Sequence, residues 1–383
     1  MNFDMTEEQQ MIKSMVAEFA EKEIAPVAAE NDLNEKFPWS IVKKMGELGI
    51  FGTVIPEEYG GGGFDNIAHA IVAEELGRVD SSVRGIYSVQ VSLVALTILK
   101  WGNEEQKKKY VPRLASGEIL GCFGLTEPNS GSDAVSMQAT AVEDGDSYIL
   151  NGNKMWITNG GVADIALIFA KTDKNAGARG ITAFIVDTKT PGFSTRDIHQ
   201  KLGLRSSNTA ELILTDVRVP KENILGEVGK GFKVAMSALD FGRYTVAAGC
   251  VGLAQGCYDV AKKYALERIQ FGKPIAGHQL IQEMFADMIV DIEAGRLLVY
   301  RVGHLKNKGV PNTREVCVAK LFCSEMVNRV AYKALQVFGG YGFSGEFPIE
   351  RYYRDARINT LYEGTSQIQK LIIANKDLGI SAF

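Results

Sequence analysis

Three long segments with few helix-breaking residues dominate the second half of the chain and limit what it can fold into. They cover residues 232–269, 278–309 and 314–340, and all three are rich in Ala, Val and Leu. Consecutive helices of this length pack side by side as a bundle, because each must bury an apolar face. The amount of apolar surface on them also indicates contacts between subunits.

The chain before these helices has two different characters. In the middle, short β-branched runs bounded by turn residues, such as SYILNG, IALIFAKT and AELILTDVRVP, predict an antiparallel β domain. Nearer the N-terminus, apolar residues recur at helical spacing, and Thr6 with Gln9 forms a candidate capping box. The sequence therefore predicts an α+β protein with a helical domain at 1–120, a β domain at 121–228 and a helical bundle at 229–383.

The composition excludes several classes of function. Charged residues make up 23% of the chain, the net charge is −4 and the pI is near 5.8, which disfavours binding to nucleic acid or anionic membranes. No stretch reaches the eighteen or so uninterrupted apolar residues of a membrane span. The acidic N-terminus lacks the features of a targeting segment, so a cytoplasmic location is expected. The cysteines show no CxxC spacing and the histidines do not pair, so we expect reduced thiols and no metal site.

One carboxylate stands in surroundings that suit a general base. Glu363 lies in the otherwise uncharged run INTLYEGTSQIQ, with Tyr362 before it and Gly364 after it. A carboxyl group in low-dielectric surroundings has a raised pKa and becomes a better base near neutral pH. The alternative is a surface glutamate at the start of a helix.

Two polar stretches suit a flat cofactor that forms hydrogen bonds. FGLTEPNSGSD, residues 123–133, leads into the β domain, and KMWITNGG places Trp156 and Thr158 at a strand end. An aromatic plane beside hydroxyls and free backbone N–H groups suits an isoalloxazine ring. A single strand tryptophan is also typical of core packing. No GxGxxG motif follows a strand, which disfavours a nicotinamide site.

These stretches occur together with EYGG, ALERIQFG, QVFGGYGF, RDARI and LYEGTSQIQ, in an order and at distances that resemble the acyl-CoA dehydrogenase family. The resemblance covers essentially the whole chain. It implies a helical domain, a β domain and a four-helix bundle, assembled as a homotetramer with one FAD per subunit. It also implies that electron transfer flavoprotein takes up the electrons.

The resemblance further implies roles for individual residues. The flavin ring would be bordered by Phe123, Leu125, Thr126, Trp156 and Thr158. The rest of FAD would be held across a subunit interface by Arg268, Phe271, Gln279, Gln336 and Gly340, and within the same subunit by Thr365 and Gln367. The acyl-CoA would contact Ser132, Asp240, Arg243, Tyr362 and Gly364.

The catalytic base implied by the resemblance is Glu363. It would remove the proton at Cα of a CoA thioester while the Cβ hydride passes to the flavin. Some relatives place the base instead at the position of Gly242, which here carries no carboxylate.

A single arginine indicates the type of acyl chain. Arg84 and Ser88 of SSVRGIYSVQ are one helical turn apart, so both side chains point the same way. A guanidinium binds a carboxylate with two parallel hydrogen bonds. Glutaryl-CoA dehydrogenases carry a similar arginine and serine, so the resemblance implies glutaryl-CoA as the substrate. The alternatives are a structural or solvent-facing Arg84, and a different anionic or bulky acyl chain.

Two glycines depart from the pattern of relatives that also decarboxylate the product. Those relatives carry a glutamate where this chain has Gly77 and a serine where it has Gly85. Without an acidic neighbour, Arg84 binds the carboxylate more tightly and discourages loss of CO2, which predicts a reaction that stops at glutaconyl-CoA. The competing interpretations are a dehydrogenase of butyryl-CoA, arylsuccinyl-CoA or a cyclic acyl-CoA, a silent flavin- or CoA-binding adaptor, and a purely structural helical protein.

Overall fold

A computed structural model describes residues 4–382 and contains the predicted order of helices, strands and helices. The N-terminal helices are α1 (Glu7–Phe19), α2 (Ala25–Leu33), α3 (Trp39–Glu47), α4 (Asn66–Val79), α5 (Ser81–Tyr87), α6 (Leu96–Trp101) and α7 (Glu104–Ala115). The predicted capping box is present, because Thr6 Oγ1 accepts the N–H of Gln9 at 3.2 Å and the Gln9 side chain accepts the N–H of Thr6 at 3.0 Å. The α+β fold class is confirmed.

Helices α5 and α6 belong to one helical run, Ser81–Trp101, whose middle part, Ser88–Ala95, is a π-helix. Short π-helical segments are frequent at functional sites. By length and composition this run could cross a membrane, although we expected no stretch to come close. In the fold, 94% of its most apolar window is buried inside the protein, as in the core helix of a globular domain.

The middle of the chain forms a seven-stranded sheet with the order β1-β4-β2-β3-β7-β6, in which β5 also pairs with β4. The strands are β1 (Gly121–Gly124), β2 (Thr140–Asp144), β3 (Ser147–Thr158), β4 (Ile165–Lys171), β5 (Ile181–Asp187), β6 (Phe193–Asp197) and β7 (Thr209–Pro220). The predicted antiparallel pairing holds for β2–β3, β3–β7, β4–β5 and β6–β7. Two pairings are parallel instead: β2 meets β4 at Thr140 and Lys171, and strand β1 pairs with β4 along its length. The connection between β1 and β4 contains β2 and β3, so the local pattern of β1 cannot reveal its partner.

The C-terminal part contains the three predicted long helices, α8 (Gly231–Glu267), α9 (Gln279–Asn307) and α10 (Thr313–Phe338), followed by the shorter α11 (Ile349–Ala356) and α12 (Ser366–Leu378). Between α8 and α9 lies a small hairpin of β8 (Ile269–Gln270) and β9 (Lys273–Pro274). Helix α8 packs against α4, α9 and α10. One large hydrophobic core therefore joins the helices from both ends of the chain, while the sheet has a smaller core of its own. The five cysteines are free and buried.

Candidate active site

Glu363 lies in a sharp turn, residues 362–365, which we call the Glu363 turn. Glu363 and Gly364 both adopt left-handed backbone angles, with φ of 53° and 91°, and this conformation is unfavourable for a glutamate. Thr365 ends the turn and begins α12 by accepting a hydrogen bond from the N–H of Ile368. The carboxylate points at α8, where a Cβ at position 242 would lie 2.1 Å from Glu363 Oε2. Gly242 thus leaves the space that this carboxylate occupies.

Three side chains, which we call the carbonyl clamp, hold the Glu363 turn in this conformation. Arg243 Nε donates to the Glu363 carbonyl at 3.0 Å, and Lys320 Nζ donates to the Gly364 carbonyl at 2.8 Å. The Gln369 amide donates to both carbonyls, at 3.2 and 3.0 Å. Hydrogen bonds from charged donors are stronger than neutral ones, so the clamp can offset the strain of the turn.

Sequence reasoning named Arg243 but missed the other two members of the carbonyl clamp. The available signal for Lys320 was its position as a lone cation in the apolar stretch VCVAKLFC. For Gln369 it was only the second glutamine of SQIQ.

Glu363 is half-buried, but one oxygen of its carboxyl group is enclosed and lacks a hydrogen-bond partner. Its Oε2 is enclosed and accepts no hydrogen bond within residues 4–382. Burial raises the pKa of Glu363 to about 7, against the positive charges of Arg243, Lys320 and Arg84. Burial also lowers the pKa of Lys320 to about 8. A carboxyl group whose pKa lies near neutral pH is suited both to accept and to release a proton.

Arg84 lies beside the Glu363 turn and is only 1% exposed, which removes the solvent-facing alternative. Its Nη2 donates to the Tyr362 hydroxyl at 2.5 Å and its Nη1 to the Ser88 hydroxyl at 3.5 Å. Its Nε has no partner in the part of the chain that the structure describes. Within the described residues, the hydrogen bonds of this buried cation are therefore with neutral hydroxyls.

The nearest acidic residue in sequence is not available to neutralise Arg84. Asp80 caps α5, since its Oδ1 accepts the N–H groups of Ser82 and Val83 at 2.7 and 3.1 Å. Its other oxygen lies 3.3 Å from Nη1 of Arg351. Asp80 thus fixes the start of the helix that carries Arg84 while its charge is paired elsewhere.

The candidate CoA contacts are only partly brought together. Asp240 lies 3.3 Å from Nη1 of Arg243 and accepts a hydrogen bond from Thr313 at 2.6 Å. Arg243 in turn contacts the Glu363 turn, so Asp240 belongs to the same network. Ser132 lies exposed in the loop after β1, and no hydrogen bond of the described residues joins it to this network.

The residues predicted to border a flat ring come from two adjoining segments. The N–H of Met155 donates to the Thr126 carbonyl at 2.9 Å, which joins the end of β3 to the loop after β1. Trp156 is 62% exposed with a φ of 63°, so it is not a core residue. The hydroxyls of Thr126 and Thr158 make no hydrogen bond within residues 4–382, while Phe123 and Leu125 supply buried apolar surface. An exposed indole beside free hydroxyls fits a flat heteroaromatic ring that forms hydrogen bonds.

Three of the five residues predicted to lie across a subunit interface lie together at the β8–β9 hairpin. Arg268, Phe271 and Gly340 line a cavity of about 720 Å³, and Phe271 is 94% exposed. Gln279 begins α9 and Gln336 lies in the last turn of α10, both exposed. Gln367 is exposed on α12. No residue of the Glu363 turn lines this cavity, so the structure separates it from the candidate base.

Comparisons with known proteins identify the family. Models of the N-terminal, middle and C-terminal domains of acyl-CoA dehydrogenases match residues 6–118, 122–217 and 229–377. This chain belongs to the acyl-CoA dehydrogenase family. Members of the family depend on FAD, and a similar glutaryl-CoA dehydrogenase from Mycobacterium smegmatis has been solved in complex with FADH2. The chain is therefore an oxidoreductase whose exposed indole and free hydroxyls fit the flavin.

Relatives with different substrates are about equally similar to the chain. The short-chain specific acyl-CoA dehydrogenase of Clostridium acetobutylicum is 47% identical, over 98% of this chain and 99% of its own length. The glutaryl-CoA dehydrogenase of Desulfococcus multivorans is 46% identical, over 99% of both chains.

Solved structures of different relatives are likewise about equally similar to this chain. A glutaryl-CoA dehydrogenase in complex with glutaryl-CoA has a TM-score of 0.96 and 46% identity, over 99% of this chain and 97% of its own. A chain from a study of the electron transferring flavoprotein of Acidaminococcus fermentans has a TM-score of 0.98 and 48% identity, over 99% of this chain and 100% of its own. Similarity alone does not decide the acyl chain.

Proposed function

We propose that this chain oxidises the Cα–Cβ bond of a short dicarboxylic acyl-CoA, with glutaryl-CoA as the main substrate. The observation that carries the proposal is Arg84, a cation that is 1% exposed and that, within residues 4–382, forms no ion pair and donates hydrogen bonds only to two hydroxyls. Burying a charge without a counter-charge costs several kcal/mol, on the order of 3–5. The terminal carboxylate of the acyl chain would supply the missing anion and two hydrogen-bond acceptors.

The proposed base is Glu363, which takes the Cα proton of the thioester. Trp156 and the hydroxyls beside it would hold FAD, which would supply the acceptor for the hydride that leaves Cβ. The carbonyl clamp occupies the carbonyl of Glu363, whereas the N–H of this residue has no acceptor in the described chain. That N–H is therefore free to donate to the thioester oxygen and to stabilise the negative charge that develops there.

We also propose that the reaction stops at glutaconyl-CoA. Gly77 stands where decarboxylating relatives carry a glutamate, and a Cβ there would lie 2.7 Å from the carbonyl oxygen of Gly249 on α8. Helices α4 and α8 are in backbone contact at this point, so position 77 has no room for an acidic side chain. The carboxylate of the product then stays bound to Arg84, which disfavours its departure as CO2.

A short-chain dehydrogenase acting on butyryl-CoA is the second candidate. It is supported by the short-chain specific enzyme of Clostridium acetobutylicum, which at 47% identity is as similar to this chain as the glutaryl-CoA dehydrogenase of Desulfococcus multivorans at 46%. In that case Tyr362 and Ser88 would be sufficient partners for Arg84, whose role would be structural.

The partner predictions are part of the same proposal. Phe271 and Phe343 are 94% and 90% exposed, and such apolar side chains support burial against other subunits of a homotetramer. The similarity to the chain from the study of electron transferring flavoprotein supports that protein as the electron acceptor. A cytoplasmic location stays a prediction.

Anaerobic titration of the FAD-loaded enzyme with glutaryl-CoA and with butyryl-CoA tests the proposal, with bleaching of the flavin and release of CO2 as the readouts. We expect glutaryl-CoA to bleach the flavin at far lower concentration, without stoichiometric CO2. Arg84→Ala should lower the ratio of kcat/KM for glutaryl-CoA to that for butyryl-CoA by about 10- to 150-fold, the equivalent of hydrogen bonds to a charged group. The ratio is an internal control for folding and cofactor content. A preference for butyryl-CoA that Arg84→Ala leaves unchanged would make Arg84 a structural residue.

A further inference from the structure

Gly249 of α8 lies directly against the side chain of Arg84. A Cβ at position 249 would lie 2.5 Å from both Cδ and Nε of Arg84 and 3.1 Å from its Cγ. Separations of 2.5 Å are shorter than carbon atoms tolerate, so even an alanine here forces a displacement. We propose that Gly249 is a specificity-determining residue, because it provides the space from which Arg84 binds the terminal carboxylate of the acyl chain. This inference rests on the proposed function.

Neither side of this contact can move away freely. The guanidinium of Arg84 is buried and bonded to Tyr362, whose hydroxyl donates to Asn359 at 2.8 Å. On the other side, the backbone of Gly249 is in close contact with Gly77 of α4. Helix α4, helix α8 and the Arg84 side chain therefore form a closed stack at Gly249. An added methyl group must displace the guanidinium, since helix backbones move less easily than a side chain.

Other glycines of α8 provide a matched comparison. A Cβ at Gly252 would lie 1.9 Å from the carbonyl oxygen of Glu74, and a Cβ at Gly256 would lie 2.2 Å from that of Arg78. Both glycines allow the backbone of α4 to approach α8. Gly249 differs because its neighbour is also a side chain of the proposed binding site. Substitutions at 249 and 256 should thus disturb the same helix pair but only the first should move Arg84.

The proposed base is held independently of this stack. The carbonyl clamp fixes the Glu363 turn through Arg243, Lys320 and Gln369, and none of these side chains lies among the nearest contacts of a Cβ at 249. Displacing Arg84 should therefore change which acyl chain is preferred more than it changes proton removal. A residue with only a structural role would lower the activity on all substrates together.

The experiment compares Gly249→Ala, Arg84→Ala, the double variant and Gly256→Ala in the FAD-loaded enzyme. The readout is the ratio of kcat/KM for glutaryl-CoA to that for butyryl-CoA. We expect Gly249→Ala to lower this ratio by about 10- to 150-fold, mainly through the KM for glutaryl-CoA. The double variant should have the ratio of Arg84→Ala, because residues in contact are not additive and no guanidinium is left to displace. Gly256→Ala should keep the wild-type ratio.

Each other outcome has a defined meaning. A Gly249→Ala enzyme with the wild-type ratio, or a double variant in which the two effects multiply, overturns the inference while the proposed function stands. A wild-type enzyme without preference for glutaryl-CoA, whose ratio Arg84→Ala does not change, overturns the proposed function and the inference with it. If Gly249→Ala does not fold, recovery of folding in the double variant supports the contact, and a double variant that also fails to fold overturns it.

Discussion

Among the sites where this molecule places a buried cation near a carboxylate, two are built differently. In the β domain, Lys154 and Glu127 are 0% and 6% exposed, and Lys154 Nζ lies 2.8 Å from Glu127 Oε1. Glu127 also accepts the N–H groups of Gln138 and Ala139, at 2.5 and 3.0 Å. Lys154 donates in addition to the Leu125 carbonyl at 3.2 Å. Each charge of this pair is satisfied by the protein itself.

Arg84 and Glu363 form no such pair. Arg84 Nε and Glu363 Oε2 are both enclosed, and both lack a hydrogen-bond partner within residues 4–382. A satisfied ionic network specifies the fold around it, whereas unfilled hydrogen-bonding capacity at buried charges leaves a place for ligand atoms. The comparison shows that burial of charge does not by itself mark a reaction site. What sets the Arg84 and Glu363 site apart is that two neighbouring, opposite charges each keep an unpaired atom.

The largest expected effect is that of Glu363→Gln, which keeps the size of the side chain and removes its basicity. We expect the rate of flavin bleaching by glutaryl-CoA to fall by about 10²- to 10⁴-fold, the usual contribution of a general base. Anaerobic stopped-flow mixing of the FAD-loaded enzyme measures this rate. Glu211→Gln is the matched control, because Glu211 is a buried glutamate of the sheet that pairs with Arg196 and Asn153. Equal losses in both variants would remove the distinction between the two kinds of buried carboxylate.

The second effect concerns stability and separates the two buried cations. Lys154→Met leaves Glu127 buried and unpaired, which should cost about 3–5 kcal/mol. Arg84→Met removes a cation that has no paired carboxylate, so stability should be unchanged or higher. Denaturant unfolding in excess FAD measures the free energy of unfolding of both variants. The double variant Lys154→Met with Glu127→Met should recover most of the stability that Lys154→Met loses. If Arg84→Met lowers the free energy of unfolding as much as Lys154→Met does, Arg84 is a structural cation. The two buried cations would then not differ in role.

The helices and most of the strands could be predicted from the sequence, but the contacts that shape the candidate site could not. The periodicity of α8–α10 and the β-branched runs of the sheet are local signals, and the helices and most strand pairings follow from them. The parallel partner of β1 is not local, because two other strands intervene along the chain.

The same limit applies within the candidate site. Glu363 and Arg84 were found because each is a lone charge in an apolar run. Lys320 reaches the Glu363 turn only through the packing of α10, and Gly249 resembles any other glycine of a long helix. Their roles depend on separations of a few ångströms between distant segments, which no residue pattern encodes.

The smallest expected effect is a shift in pH dependence. Glu363 acts as a base only when ionised, and its pKa is raised to about 7, so kcat/KM should rise as the pH increases through about 7. The charges that act on this carboxyl group from the surrounding helices are those of Arg243, Lys320 and Arg84, and all three lower its pKa. Lys320 can be tested separately, because it bonds the carbonyl of Gly364 rather than that of Glu363.

Lys320→Met should move the rise in kcat/KM to higher pH, by about one pH unit at most, because a positive charge that stabilises the carboxylate is lost. Lys320→Arg keeps the charge and should restore the wild-type midpoint, even if the hydrogen bond to Gly364 is less favourable. The two substitutions therefore separate the charge of Lys320 from its role in the carbonyl clamp. If both variants lose activity at every pH without moving the midpoint, Lys320 only holds the backbone of the turn. The buried charges at this site would then tune the base through Arg84 and Arg243 alone.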